Sequence, residues 1–324
     1  MERRQFVGAL VAGSLLPWTV QAQSFPNRPL RLVVPFPPGG PTDLYARLYG
    51  QRLGAVLGQS VVIDNKAGAS GAIGALDVMR AAPDGYTLLF GTASTHTLYN
   101  LTNPKPQYDA AKDFAPVAVV GGASICFVAH PSLPPTLKGV VDLAKASPGK
   151  LRYGSPGTGT LMHIAGERLK REGGGLAIEH IPFKGSGQAK TALLGNQIEL
   201  VTDTLGASLQ DHKAGKTRIL AVAAPQRSSL LPDVPTVDEA LGLKGFEALL
   251  WNVIVAPQGT PAAILETLSS ATAKVMSDPG MRESLAGLAI EPQTGSNPAA
   301  ALAFIRGELA RWKPVIDAAG IRVE

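Results

Sequence analysis

Cysteine is almost absent from this chain. Cys126 is the single one in 324 residues, so no intrachain disulfide can form. Its setting, Ile125-Cys126-Phe127-Val128, suits a small apolar core filler and not a reactive thiol. Aromatic residues make up only 6%, and none interleave with a basic stripe; charged residues make up 17% and form no Lys/Arg run. A nucleic-acid partner is therefore not expected, despite a pI near 9.3. Histidines are few and scattered: His96, His130, His163, His180 and His212. His163 and Glu167 stand four apart, but no second histidine completes a metal-ligand spacing. Neither a metal nor another cofactor is expected. Beyond the first two dozen residues, no apolar run is long enough to cross a bilayer.

Residues 1–22 read as a signal peptide. Arg3-Arg4 give the positive start, residues 6–16 the apolar stretch, and Val20-Gln21-Ala22 the small-x-small cleavage signal. Arg3-Arg4 ahead of Gln5-Phe6 fits a twin-arginine signal as well as ordinary secretion. Cleavage near Ala22 removes Arg3, Arg4 and Glu2, which lowers the net charge from +5 to +4. The roughly three hundred residues that remain exceed what one core organises, so two domains are expected.

Residues 30–43, LRLVVPFPPGGPTD, are the most informative stretch. Leu30, Leu32, Val33 and Val34 form the continuous apolar run of a parallel strand covered on both faces. Pro35, Pro37 and Pro38 stop it, and Gly39-Gly40 permit a sharp reversal. Thr42 or Asp43 then caps a helix over 43–57 whose apolar residues share one face. Free N–H groups at such a helix start attract anions. Further strands at 61–64 and 86–90, with a helix at 73–81, complete a βαβαβ unit. Runs at 116–120 and 125–129 follow, separated by Gly121-Gly122.

A second α/β series begins with a helix at Leu137–Ala146 and a strand at 151–153. The turn Gly154-Ser155-Pro156-Gly157-Thr158-Gly159 leads into a helix at 160–170. Strands at 177–181, 198–202 and 218–223 and a helix at 188–194 complete this series. The C-terminal part adds a strand at 251–255 and helices at 261–276 and Pro298–Ala319. Trp251 and Trp312 read as core residues. Each half thus carries a strand, a Gly/Pro elbow and a helix start, and ligands of open α/β sheets sit beyond the carboxyl ends of strands. The second elbow lacks the lysine of a Walker A loop and does not fit GxGxxG, because Met162 takes the last glycine position. As a carboxylate cradle it needs only N–H groups and the hydroxyls of Ser155, Thr158 and Thr160. The segments 125–129 and 218–223 are the hinge candidates.

These segments carry a resemblance. Arg31 to Asp43 (RLVVPFPPGGPTD), Asp64-Asn65-Lys66-Ala67-Gly68-Ala69, Ala82 to Leu89 (APDGYTLL), the second elbow, Pro182-Phe183-Lys184-Gly185-Ser186 and Leu231 to Thr236 (LPDVPT) stand in order along the chain. The chain resembles the substrate-binding receptors of the tripartite tricarboxylate transporter family, the Bug-type periplasmic proteins. The resemblance implies an α/β, two-domain periplasmic binding protein of type II, a clamshell with a hinge of two crossing segments. Domain 1 is then 23–125 plus 224–324, and domain 2 is 126–223. The implied function is capture of a small organic carboxylate in the interdomain cleft and delivery to membrane permease subunits. The alternatives are presentation to a sensor-kinase ectodomain and, on the same scaffold, an exported hydrolase; no Ser/His/carboxylate pattern recommends the last. A monomer without enzymatic activity is expected.

The candidate ligand residues are Phe36, Pro38, Gly39, Gly40, Thr42 and Asp43 of the first elbow, and Thr92, Ala93, Ser94 and Thr95 after the third strand. From the second half come Ser155, Gly157, Thr158, Thr160, Lys184 and Asp203. Pro156 stands where a smaller residue is usual in the family, and Phe183 where Tyr is commoner, so the ligand cannot be inherited from a relative.

Overall fold

β1 (Leu30–Val34) is buried on both faces because alternate residues enter different cores. Leu30, Leu32 and Val34 pack with Tyr45, Tyr49 and Leu53 of the helix Pro41–Leu57, while Val33 packs with Ala72, Ala75 and Val78. The computed structural model describes residues 25–323, so the leader lies outside the described residues. β1 pairs in parallel with β2 (Val61–Asn65) and β3 (Thr87–Thr92). β9 (Leu249–Pro257) joins antiparallel to β3 and to the long strand β4 (Phe114–Ala129).

β4 departs from the sequence reading. The runs at 116–120 and 125–129 are one strand, and Gly121-Gly122 lie inside it. A Cβ on Gly121 would stand 2.1 Å from the Glu291 carbonyl oxygen, and one on Gly122 would stand 2.7 Å from the Trp251 Cα. Both glycines thus mark close backbone approach at a bulged stretch and not a chain break. The Glu291 contact comes from β10 (Ile290–Pro292), a short antiparallel partner absent from the sequence reading.

Beyond Ser124, β4 changes partners. Its last residues pair with β7 (Leu200–Thr204) and β8 (Arg218–Val222), both antiparallel. β5 (Leu151–Ser155) continues this half in parallel with β7 and β6 (Ile178–Pro182). The sheet order is therefore β2-β1-β3-β9-β4-β7-β5-β6, with β4 threading both halves. Where the halves meet, three backbone groups form a closed ring. Ile125 N–H donates to the Ala248 carbonyl at 3.0 Å, Ala248 N–H to Ala223 at 2.9 Å, and Ala223 N–H to Ile125 at 2.7 Å.

The chain between Ala223 and Ala248 packs on the second half. Val222 N–H donates to the Pro235 carbonyl, Phe246 meets Phe127 edge-on, and the Arg168 guanidinium donates to the Gly245 carbonyl at 2.8 Å. Trp251 and Trp312 are buried as expected, and the Trp251 indole N–H donates to Glu308 at 2.8 Å. Cys126 is fully buried as well, and burial pushes its thiol far above the normal range. Helices Leu205–Lys213 and Pro279–Gly287 were not anticipated; each is short, with few apolar positions to reveal its period.

Candidate functional site

The first elbow turns between β1 and the helix Pro41–Leu57. Gly39 alone carries the reversal, at φ +81°; Gly40 is extended and acts as N-cap, with proline in the first helical turn. Neither Thr42 nor Asp43 caps this helix, contrary to the sequence reading. Asp43 instead reaches back. Its Oδ2 accepts from Gly39 N–H at 2.8 Å and Arg47 Nε at 2.9 Å, and its Oδ1 accepts from Asn65 Nδ2 at 2.9 Å. Asn65 also donates to the Phe36 carbonyl. Burial opposes ionisation of Asp43, yet the bonds from Arg47, Gly39 and Asn65 outweigh it and hold the carboxyl below its ordinary range. The elbow is locked by a buried charge facing away from the cleft.

The second elbow joins β5 to the helix Leu161–Glu172. Thr160 is the N-cap, accepting from His163 N–H and donating its proton to the Gly157 carbonyl at 2.7 Å. Ser155 Oγ meets His180 Nε2 at 2.7 Å, and Gly159 N–H donates to His163 Nδ1 at 3.0 Å. The two imidazoles stack at 4.1 Å beneath the turn. Burial lowers the pKa of each to about 4. This elbow rests on neutral groups.

Two other segments reach the same space. After β3 the chain enters a π-helical turn, Ser94–Leu98. Its Thr95 hydroxyl turns back to Thr92 and His96, whereas Ser94 Oγ accepts from Leu161 N–H across the cleft at 3.1 Å. After β6, Gly185 at φ +114° caps the helix Ser186–Leu194, and a Cβ there would stand 3.3 Å from Pro37. The Ser70 hydroxyl also donates to the Thr158 carbonyl, so the halves touch around the site.

Between these segments lie two adjoining chambers. One, of about 380 Å³, is lined by residues 36–42, Ser94, Pro156, Thr160, Met162, residues 184–188 and Leu250. The other, of about 520 Å³, lies against 67–71, Tyr99, Asn103, residues 156–160 and Lys184. Both volumes suit a small ligand. The helices starting at Pro41, Leu161 and Ser186 all open toward the first chamber. Among the described residues, Lys184 is the only charged side chain lining either chamber, and it forms no ion pair. A larger cavity of about 970 Å³ lies at the hinge side, but its Arg227 and Arg311 are already paired with Glu239 and Glu308.

Of the expected residues, Phe36, Pro38, Gly39, Gly40, Thr42, Ser94, Thr160 and Lys184 line the first chamber; Gly157 and Thr158 line the second. Asp43, Thr92, Ala93, Thr95, Ser155 and Asp203 line neither. Asp203 is buried below the helix Ser186–Leu194. It accepts from Thr204 N–H at 2.8 Å, while burial pushes its pKa up to about 6. Residues 185–188 were overlooked, although the strand, glycine and helix start at 182–186 repeat the pattern of both elbows.

The solved periplasmic binding protein BugD is 33% identical, with a TM-score of 0.88, over 93% of this chain and 100% of that one. The Rhodopseudomonas palustris protein Rpa4515, solved with adipate, is 36% identical, with a TM-score of 0.87, over 92% of this chain and 99% of that one. MatC from the same organism, solved with bound malate, is 32% identical, with a TM-score of 0.85, over 90% of this chain and 100% of that one. Residues 45–321 match the tripartite tricarboxylate transporter family receptor. The chain belongs to that family of solute-binding receptors, with the two-domain clamshell fold of periplasmic binding proteins.

Proposed function

We propose that the protein captures a small organic carboxylate in the first chamber and delivers it to a tripartite tricarboxylate permease. The observation that carries this reading is the chamber wall. Three helix N-termini and the Lys184 ammonium face a space lined by no Asp or Glu among the described residues. Unpaired N–H groups and a cation favour an anion there. Adipate and malate in the similar Rhodopseudomonas palustris structures support the carboxylate class.

Closure of the two halves buries the ligand and strengthens its hydrogen bonds by excluding water. One hinge crossing is β4 at 125/126. The second is best put at Ala248 and not at 223/224, because residues between Ala223 and Ala248 pack on the second half. Export and cleavage near Ala22 would release the receptor into the periplasm. The described residues contain no helix long and apolar enough to cross a membrane.

Thermal unfolding with carboxylate and amide forms of each candidate tests the proposal. An acid at a hundredfold excess over its Kd adds about 2.7 kcal/mol, and its amide is expected to add nothing. Equal shifts from both would exclude the anion cradle.

A further inference from the structure

The second chamber is closed by a residue outside all the elbows, Val323. The two chambers share six lining residues, Phe36, Pro37, Pro156, Thr160, Lys184 and Gly185. A ligand anchored by one acid group in the first chamber can therefore run past Lys184 into the second. No Asp or Glu lines that second space among the described residues, and it offers two donors. One is the Lys184 ammonium. The other is the Asn103 amide, whose Oδ1 accepts from Lys105 N–H at 2.9 Å, which leaves Nδ2 for a ligand.

Val323 follows the helix Pro298–Ala319 and is tied to the first half. Ile321, two residues before it, is buried in the core with Trp312 and Ile316. Val323 N–H then donates to the Thr102 carbonyl at 3.0 Å. A β-branched side chain has little freedom at χ1, so this main-chain bond largely fixes where the two methyls stand. They stand in the second chamber, against the second elbow: a Cβ on Gly159 would come within 3.1 Å of Val323 Cγ2. The wall here is apolar and held from both sides. A far acid group that stops short of it can meet Lys184 and Asn103. One carried onto the methyls gives up water without gaining a hydrogen bond.

We infer, on the carboxylate reading above, that Val323 is a specificity-determining residue that limits the length of dicarboxylate the site accepts. Calorimetric titration with straight-chain diacids of four, six, eight and ten carbons tests this, read as the ratio of Kd values along the series. The native protein is expected to show a cut-off, a length beyond which affinity falls about tenfold or more, the effect of a methylene or two in a closed pocket. Val323→Ala is expected to recover most of that loss for the first rejected acid while leaving the shorter ones within about twofold. Val323→Leu is expected to move the cut-off to a shorter acid. Should the leucine variant fail to fold, the alanine variant alone decides. A change of the same size at every length would mean that Val323 only supports closure through Gly159, which overturns the inference. So would an unmoved cut-off, or none in the native protein, and both leave the carboxylate reading intact. Failure of every diacid to bind removes both.

Discussion

The two elbows solve one problem with opposite chemistry. The first is pinned by an ionised Asp43 clasped between Gly39, Arg47 and Asn65. The second is pinned by neutral hydroxyls and a stacked imidazole pair, His163 over His180. The two depend on pH in different windows. Asp43, with its pKa held down, keeps its contribution until the pH falls below the ordinary carboxylate range. The histidines have their pKa values lowered to about 4, so the unfolded chain binds more protons between pH 6.5 and 4, and their contribution is lost as the pH falls through that interval. The clamshell therefore has one acid-resistant wall and one acid-labile wall.

The comparison breaks most forcefully at Asp43. Asp43→Ala leaves Gly39 N–H, Arg47 and Asn65 without their acceptor, and about 4 kcal/mol of stability is expected to go. Urea unfolding at pH 7 measures this; a loss below about 1 kcal/mol would mean that the proline and glycine geometry holds the elbow unaided. Acid sharpens the contrast. Protonating the buried His163 breaks its acceptance from Gly159 N–H, with a cost on the order of 3 kcal/mol by pH 4. Hydrogen exchange, corrected for intrinsic rates, should therefore rise at residues 157–163 between pH 7 and 4.5 while the Gly39 N–H, held by Asp43, stays protected. Parallel behaviour of the two elbows would refute the division. Global melting is the poorer measurement, because Asp203, with its pKa raised to about 6, gains stability as the pH falls. The smallest expected effect separates the adjacent glycines. Gly39→Ala must accept φ +81° and should cost about 1–2 kcal/mol. Gly40→Ala, at an extended φ where a Cβ meets the Pro37 carbonyl oxygen at an ordinary 3.7 Å, should cost less, about 0.5 kcal/mol in thermal unfolding. Equal costs would show that the turn relaxes.

Much of this was legible in the sequence where the cause is local. β1 and its elbow could be read because an apolar run, three prolines and two glycines lie within a dozen residues. The same held for the second elbow, but not for the cap made by Thr160, whose hydroxyl the sequence reading assigns to the ligand. The unity of β4 was not legible, since Gly121 and Gly122 answer to Glu291 and Trp251, far away in sequence. Inside the site, composition showed which loops held hydroxyls and carboxylates but not which way they turn. Asp43, Thr95 and Ser155 face inward to brace their own loops, while Ser94 faces out. Side-chain direction at a strand end is decided by tertiary packing. Asp203 is a further case: a carboxylate at a strand end that lies buried outside both chambers.

The ring at Ile125, Ala223 and Ala248 bears on how such a receptor can change its ligand. Its three bonds involve only main-chain atoms, so side-chain replacement elsewhere leaves the pivot alone. If the proposed closure pivots at this ring, a small rotation there becomes a wide swing at the cleft mouth. The lever and the grip are thus built from separate parts. Under the proposed function, residues 36–42 and 184–188, which line the first chamber, could be rewritten for a new acid while the ring stays as it is. Proline at 223 or 248 would remove one stitch and disable the motion for every ligand alike.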